Sequence, residues 1–325
     1  MIVIVLAAII GYAVLLVGID VIGNHLEKRD VPETVGSLDG RFDSDAVTIE
    51  YNGRTWTYRE HDLTNILFIG IDWNENDESE SKRYDGQADF LLLLSIDREN
   101  KTAFMLQLDR DTMADVRVYG PFGDYTGTQN MQICLSHAYG DTPEENCENT
   151  VWAVSKLLGG IPIDGYIAVN MDGIPVLNDA LGGVTVTLDE DFTQSDPTMT
   201  KGTTLTLHGM QAEYYVRGRR NVGDGTNASR MARQRTFITA AEDLIIQGMN
   251  EDMDYAGNVF DALADYMTTN IERGWLINKA YESRNYERLD TQTPVGEHIV
   301  GEDGFMEFHV DSDALLSLVI TNYFE

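Results

Sequence analysis

The chain has 325 residues, of which 43% are hydrophobic, and it carries 54 acidic against 23 basic side chains for a formal net charge of −31. This length and apolar content suffice for a full core, so a disordered acidic tail is excluded. The negative charge repels nucleic acid and anionic lipid at long range, which argues against a nucleic-acid-binding protein.

The N-terminal segment MIVIVLAAIIGYAVLLVGIDVIG (1–23) is predicted to be a transmembrane anchor. It has no charge from Ile2 to Ile19, a run of 18 residues. As a helix this run spans roughly 27 Å, about the thickness of one hydrocarbon core. A cleaved signal peptide is disfavoured, because no basic region precedes the run and no Ala-x-Ala-like site follows it.

The orientation of this anchor is open from the residues alone. Lys28 and Arg29 follow the span, and the positive-inside rule taken literally would place the main domain in the cytoplasm. Cys134 and Cys147 point the other way if they form a disulfide in an exported domain. A pair of reduced core thiols is the alternative.

Residues 24–60 are predicted to form a polar stalk and then a β-hairpin that turns at Asn52-Gly53. The segments 65–72, 89–97 and 102–113 are predicted strands, and the last two should pair antiparallel because a short turn joins them.

That pairing places Asp89 beside Arg110 and Asp111 at one edge of the sheet. Asp72 reaches the same edge if its strand runs parallel to that of residues 103–108, and such carboxyl ends are the usual place for a ligand.

Further along the chain, helical and strand patterns alternate, which predicts an α/β domain. The predicted helices cover 148–160, 172–181, 229–249 (with Ser229 as N-cap), 256–270 and 311–324, and the predicted strands cover 165–171 and 182–188. We therefore expect an α/β core in residues 61–250 and a helical C-terminal part, residues 251–325, packed on it.

A cluster of arginines stands out in this acidic chain. Residues 214–235 contain a single acid, Asp224, and six arginines: Arg217, Arg219, Arg220, Arg230, Arg233 and Arg235. Their local charge suits a pocket for a small anion.

The arginines fall into two sets separated by the Gly-rich loop NVGDGTNA. Arg230, Arg233 and Gln234 share one face near a helix start, although a solvated basic face is the alternative. Arg217 and Arg219 converge only if their segment is extended or its helix ends at Gly218. Guanidinium groups on two elements suit a diphosphate better than a single carboxylate. Arg220 and Arg235 are expected on the solvated surface.

Acidic side chains form a second set of candidates. Asp72, Asp89 and Asp224 could hold a hard divalent cation, since Mg²⁺ takes one or two carboxylates plus substrate phosphate oxygens. A calcium-binding loop that starts at Asp72 is excluded. Asp77 stands at the position that requires glycine, and Arg83 stands at the position of the bidentate glutamate. No nucleophile elbow or zinc motif occurs in the sequence.

In combination, these residues resemble the LytR-CpsA-Psr family of membrane-anchored cell-envelope enzymes. The resemblance is carried by seven ordered motifs between residue 61 and about residue 245: NILFIGID, GQADFLLLLSID, LDRDTM, ICLSHAYGD, DALGGVTVTL, LHGMQAEYYVRGR and RMARQR. It implies an α/β/α sandwich with a mixed central sheet, held outside a bacterial cell membrane by the single N-terminal span.

The resemblance also implies a reaction: Mg²⁺-dependent (or Mn²⁺-dependent) transfer of a phosphoglycan, such as a teichoic-acid-like or capsular polymer, from a polyprenyl-diphosphate carrier to a hydroxyl of peptidoglycan. By position it assigns Asp72 and Asp89 to the metal. It assigns the diphosphate to Arg110, Arg217, Arg219, Arg230 and Gln234, with Arg233 as a further candidate.

The candidates for a catalytic role are Arg110, Asp111 and Asp224. Either Asp111 or Asp224 could take the acceptor proton, and the sequence does not decide between them.

Two positions depart from the family pattern. Gln87 stands where many members have arginine, and Gln132 where many have lysine. Cys134, at a further departure, suggests a bridge to Cys147 that clamps this loop. The missing cations keep two alternatives open: a non-catalytic polyprenyl-diphosphate-binding regulatory protein, and a phosphohydrolase that uses water as acceptor.

Overall fold

The computed structural model describes residues 47–60, 62–72, 86–120, 123–219 and 221–325. Its strands are β1 (Thr48–Tyr51), β2 (Arg54–Thr57), β3 (Leu63–Ile71), β4 (Ala88–Asp97), β5 (Thr102–Leu108), β6 (Met113–Tyr119), β7 (Tyr125–Gln132), β8 (Gly165–Val169), β9 (Thr185–Thr187), β10 (Thr204–Thr206), β11 (Met267–Thr269), β12 (Glu287–Arg288), β13 (Gly296–Val300) and β14 (Met306–Val310). Its α-helices are α1 (Pro143–Leu157), α2 (Gly173–Ala180), α3 (Met210–Arg217), α4 (Asn227–Glu251), α5 (Tyr255–Leu263), α6 (Arg273–Ser283) and α7 (Ser312–Tyr323).

A six-stranded mixed sheet forms the centre, in the order β11-β8-β3-β4-β5-β12. Strand β4 pairs antiparallel with both β3 and β5, so these two strands run in the same direction, which meets the condition for Asp72 to reach the edge of Asp89 and Arg110. Strand β8 pairs parallel with β3. The carboxyl ends of β3, β5 and β8 therefore lie at the edge where β4 begins.

Helices cover both faces of this sheet. Alternate residues of β3 belong to different cores: Ile66 and Phe68 pack among α2 to α6, whereas Leu67 and Ile69 pack against α1 and α7. Because side chains alternate across a strand, a strand that is buried on both faces requires apolar residues at nearly every position. NILFIGI is such a run, and the three-layer α/β/α sandwich follows from it.

Of two local predictions, one is confirmed and one is wrong. The β1–β2 hairpin turns at Asn52 and Gly53, whose φ angles are 54° and 74°. The predicted N-cap of the long helix, Ser229, is wrong: the cap is Thr226, three residues earlier, and its side chain accepts from the N–H of Ser229.

Two parts of the chain differ from the predicted α/β core and helical C-terminal part. The GGVTVTL segment forms β9, which pairs with β10 in a separate two-stranded sheet rather than joining the centre. The C-terminal part is not only helical, because it contributes β11 and β12 to the central sheet and folds β13 and β14 into a hairpin.

The predicted membrane anchor, residues 1–23, lies outside the described residues. Within the described ranges no helix is both long and apolar enough to cross a bilayer.

Candidate functional site

Three predicted site residues meet at the carboxyl edge of the sheet. Asp72 follows β3, and its N–H donates to the carbonyl of Gln87 at 2.9 Å. Asp89 is the second residue of β4, and Arg110 follows β5 by two positions. Because β4 begins where β3 and β5 end, the strand pairing itself brings these residues together.

Asp89 is the centre of the cluster, since two arginines bind its two oxygens. Arg110 donates from Nη1 to Oδ1, and Arg230 donates from Nη1 to Oδ2 at 3.1 Å. Arg230 lies in the first turn of α4, is 6% exposed, and also donates from Nε (3.0 Å) and Nη2 (2.6 Å) to Asn227 Oδ1. Burial lowers the pKa of Arg230. A guanidinium nevertheless stays charged in proteins, so Arg230 is a fixed buried cation.

Arg217 and Asp72 form the more exposed half of the cluster. Helix α3 ends at Arg217 with Gly218 as its C-cap, the condition under which Arg217 and Arg219 can converge. Arg217 Nη2 donates to Asp72 Oδ1 at 3.0 Å. Burial raises the pKa of Asp72 and the negative charge of Asp89 raises it further, while Arg217, Arg110 and Arg230 act in the opposite direction.

Arg219 joins the same group through the Gly-rich loop. Its Nε donates to the carbonyl of Gly225 at 3.3 Å, which fixes it against the start of α4. From there its charge acts on both Asp111 and Arg230. The loop thus brings Arg219, from the first arginine set, close to Arg230 of the second.

Asp111 is buried beside these cations. Its Oδ1 accepts from Arg110 Nε at 3.2 Å, and its Oδ2 has no hydrogen-bond partner among the described residues. Burial raises the pKa of Asp111 despite the opposing charge of Arg110. A carboxylate oxygen without a donor and with a raised pKa has the basicity to accept a proton, although this oxygen is itself buried.

Asp224 is in a different situation, on the exposed surface of the loop before α4. Its Oδ1 accepts from the hydroxyl of Ser229 (2.7 Å) and from the N–H and hydroxyl of Thr226 (2.9 and 2.8 Å). These hydrogen bonds, that of Ser229 foremost, lower the pKa of Asp224 to about 2. Asp224 therefore organises the start of α4 and is a weak base.

Arg233 does not join the cluster, which corrects the expectation for the diphosphate set. It is 1% exposed, and it donates to the carbonyls of Tyr215 (3.2 Å) and Gly218. Its guanidinium also lies 5.5 Å from the Phe192 ring. Arg233 therefore fixes the end of α3, from which Arg217 and Arg219 extend.

Gln234 is similarly occupied by protein groups. It accepts from Gln107 Nε2 at 3.1 Å and donates to the carbonyl of Val216 at 3.4 Å. Arg235 is not on the solvated surface as expected, because it is partly buried and donates to Gln107 Oε1 at 2.8 Å. Arg220 lies outside the described residues.

The predicted disulfide is wrong, because both cysteines are free and buried. Each sulfur has its own partner: Cys134 Sγ accepts from Arg110 Nη2 at 3.3 Å, and Cys147 Sγ lies 3.7 Å from His137 Nε2. The two side chains thus belong to different contacts. Arg110 Nη2 also donates to Gln87 Oε1, so Gln87 and Cys134 together hold this guanidinium.

The metal prediction rests on Asp72 and Asp89 alone. Among the described residues no group of three or more His, Cys, Asp or Glu side chains could hold a metal ion. Burial is the main cause of the raised pKa of Asp72, and repulsion by the carboxylate of Asp89 raises it further. A divalent cation relieves such repulsion, and two carboxylates suffice for Mg²⁺ when substrate phosphates and water supply the remaining ligands. The type and number of these donors are those that Mg²⁺ accepts, and the metal site stays a prediction.

Sequence reasoning missed two residues that support the cluster. Asp109 is buried, and it accepts at Oδ1 from Asn227 Nδ2 (2.7 Å) and from the N–H of Asp111 (2.9 Å). Asn227 in turn holds Arg230. The only local signal was the position of Asp109 in LDRDTM and of Asn227 at a helix start.

Comparison with known proteins identifies the family of this chain. The profile of the LytR_cpsA_psr family matches residues 28–320. A polyisoprenyl-teichoic acid–peptidoglycan teichoic acid transferase TagU from Bacillus licheniformis is 28% identical over 225 residues, 68% of this chain and 65% of the relative. The TagU of Oceanobacillus iheyensis is 29% identical over 228 residues, 66% of this chain and 61% of the relative. The matched regions thus span less than two thirds of these relatives.

Solved structures show the same fold. The crystal structure of Bacillus subtilis TagV superimposes with a TM-score of 0.62 at 24% identity, and the match covers 80% of this chain and 95% of that one.

Proposed function

The chain belongs to the LytR-CpsA-Psr family, and on that basis we propose that it transfers a phosphoglycan from a polyprenyl-diphosphate carrier to a hydroxyl of peptidoglycan. The products are polyprenyl phosphate and a glycan joined to peptidoglycan through its phosphate. The names of the two TagU relatives support a teichoic-acid-like glycan and a peptidoglycan acceptor.

The observation that carries the proposal is the convergence of Arg110, Arg217 and Arg230 on the Asp72–Asp89 pair. A chain with a net charge of −31 has little general affinity for anions, so these cations act locally. Several guanidinium groups on separate elements match the several oxygens of a diphosphate.

In the reaction, the acceptor hydroxyl oxygen forms a bond to the glycan-side phosphorus, while the bond from that phosphorus to the bridging oxygen breaks. Polyprenyl phosphate leaves with the bonding electrons. The arginines bind the diphosphate and stabilise the charge that moves onto the leaving oxygen.

Asp111 is the group that takes the hydroxyl proton in this mechanism. Its Oδ2 lacks a donor among the described residues and its pKa is raised, whereas the pKa of Asp224 is lowered to about 2. Asp72 and Asp89 would hold Mg²⁺, which would supply neutralisation of diphosphate charge. We further propose that residues 1–23 anchor the chain in a bacterial cell membrane with the main domain outside.

A second candidate is a regulatory protein that binds polyprenyl diphosphate without turnover. It is favoured by Gln87, whose side-chain oxygen binds Arg110 at a position where many family members carry a cation. The anion site is therefore weaker than in those members, although Arg110 remains paired with Asp89.

One assay separates these functions. The full chain in detergent is incubated with a polyprenyl-diphosphate glycan, Mg²⁺ and peptidoglycan fragments, and both polyprenyl phosphate and glycan-bearing peptidoglycan are measured. Acceptor-dependent formation of both products is expected, with loss of both in EDTA and recovery with excess Mg²⁺. Polyprenyl phosphate without glycan attachment would indicate a phosphohydrolase. Neither product, together with binding of the polyprenyl-diphosphate glycan in a separate titration, would indicate the regulatory protein. Either result overturns the proposed transfer.

A further inference from the structure

The C-terminal hairpin of β13 and β14 docks directly on the loop that carries Arg110 and Asp111. The N–H of Phe308 donates to the carbonyl of Asp111 at 2.7 Å, and Phe308 forms a parallel β-bridge with Thr112. The hairpin therefore borders the candidate site, although no sequence motif in it indicates a function.

His298 extends from this hairpin toward Asp109. Its Nε2 lies 2.9 Å from Asp109 Oδ2, and the imidazole packs 4.6 Å from the Phe308 ring. Because an ionised carboxylate can only accept hydrogen bonds, Nε2 carries the proton in this contact. The Asp109 side chain is only 5% exposed, so the His298 contact satisfies an oxygen that has little access to water.

The other oxygen of Asp109 connects this contact to the site. Asp109 Oδ1 accepts from the N–H of Asp111 (2.9 Å) and from Asn227 Nδ2 (2.7 Å). Asn227 Oδ1 then accepts two hydrogen bonds from Arg230, which pairs with Asp89. A continuous series of hydrogen bonds thus runs from His298 to the main cation of the cluster and to the backbone of the proposed base.

We propose that His298 is a positioning residue for the phosphoglycan transfer, acting through Asp109 on Asp111 and Arg230. The inference rests on the proposed function, because it assigns His298 a role in that same reaction. Groups that orient the residues contacting substrate hold them near the productive geometry, and their loss typically lowers activity about tenfold or more.

The test compares three variants of the full chain. His298→Leu removes the donor, while His298→Gln keeps an N–H near the position of Nε2. His309→Leu is the matched control, because His309 lies on the same hairpin but binds Glu307 Oε2 at 2.7 Å. We expect His298→Leu to lower kcat about tenfold with less than a twofold change in the donor KM. His298→Gln and His309→Leu should remain close to wild type.

A second measurement needs no turnover. The N–H of Asp111 is bound to the Asp109 side chain, so hydrogen–deuterium exchange at Asp111 should accelerate in His298→Leu and not in the other two variants. Exchange and kcat in His298→Leu that match those of His309→Leu would overturn the inference. Failure of the proposed function gives a different result. If the wild-type protein shows no turnover, but exchange at Asp111 still accelerates only in His298→Leu, the transfer reaction is overturned and the positioning contact is not.

Discussion

Arg230 and Asp89 form an ion pair, Nη1 to Oδ2 at 3.1 Å, that joins the first turn of α4 to the beginning of β4. The pair connects two parts of the chain 141 residues apart. From the sequence alone, Arg230 could lie on a solvated helix face, but in the structure it is a buried cation. Arg217, by contrast, pairs with Asp72 where both side chains are about 40% exposed, at 42% and 39%.

This difference predicts that two arginine variants lose activity with different effects on stability. Arg217→Ala and Arg230→Ala should each lower polyprenyl-phosphate release at least about 100-fold, the usual effect of removing a group that stabilises developing charge. Arg217→Ala should change the free energy of unfolding by less than about 1 kcal/mol, because exposed pairs contribute little. Arg230→Ala should cost about 2 kcal/mol, because buried acceptors lose a charged donor.

The measurement is the initial rate together with urea unfolding of the purified full-length variants. Arg273→Ala is the control, since Arg273 pairs with the exposed Asp261 away from the cluster. Wild-type turnover in both Arg217→Ala and Arg230→Ala would remove the basis of the proposed diphosphate site.

A second prediction separates the two candidate bases. Asp111→Asn should abolish turnover, since general-base catalysis contributes roughly 10²- to 10⁴-fold. Asp224→Asn should retain turnover, because Asp224 only binds Thr226 and Ser229 at the start of α4. In the wild type, the rate should decline as pH falls, along an acid limb that lies above the ordinary range of a carboxyl, because burial raises the folded pKa of Asp111.

The same substitutions should move stability in opposite directions. A raised folded pKa means that folding disfavours the ionised carboxylate of Asp111. This lowers the free energy of unfolding above the folded pKa, and the effect is lost as pH falls through that pKa. Asp111→Asn should therefore leave the melting temperature at pH 7 unchanged or higher. The lowered pKa of Asp224 contributes stability at neutral pH that is lost as pH falls toward about 2, so Asp224→Asn should melt lower. Full turnover in Asp111→Asn would exclude Asp111 as the base.

Much of the central sheet could be predicted from sequence because its strands are covered on both faces. NILFIGI and DFLLLLSI are continuous apolar runs, and the short turn between β4 and β5 fixes their pairing. The hairpins of β6 with β7 and of β13 with β14 were not predicted. Strand β7 and strand β13 are largely exposed, so little hydrophobic alternation distinguishes them from loops.

The site could be predicted only where local geometry determined it. Asp72, Asp89 and Arg110 follow from strand ends, but Arg233 and Arg230 are neighbours on one helix and differ in role. Arg230 reaches Asp89, whereas Arg233 points to the end of α3, and the sequence does not distinguish these two directions. The contact between His298 and Asp109 spans 189 residues and leaves no local pattern.

A third prediction concerns Arg233 as a structural residue. Arg233→Met should lower the free energy of unfolding by about 3 kcal/mol, because the carbonyls of Tyr215 and Gly218 lose a charged donor in a buried setting. The donor KM should rise, because the end of α3 carries Arg217 and Arg219. Urea unfolding and donor titration check both effects. A stable variant with an unchanged donor KM would contradict this role, and Lys201→Met, which removes an exposed cation, is the control.

The final prediction tests the free state of the two cysteines. Cys134 and Cys147 are 1% and 0% exposed, and burial raises the pKa of the Cys134 thiol to about 12. Since the thiolate is the reactive species, a thiol reagent should label neither residue in the native protein. After unfolding in urea without reductant it should label both, and dithiothreitol should leave the melting temperature unchanged. Labelling of fewer than two thiols in urea, restored by reductant, would instead establish the disulfide and require the loop around Cys134 to move away from Arg110.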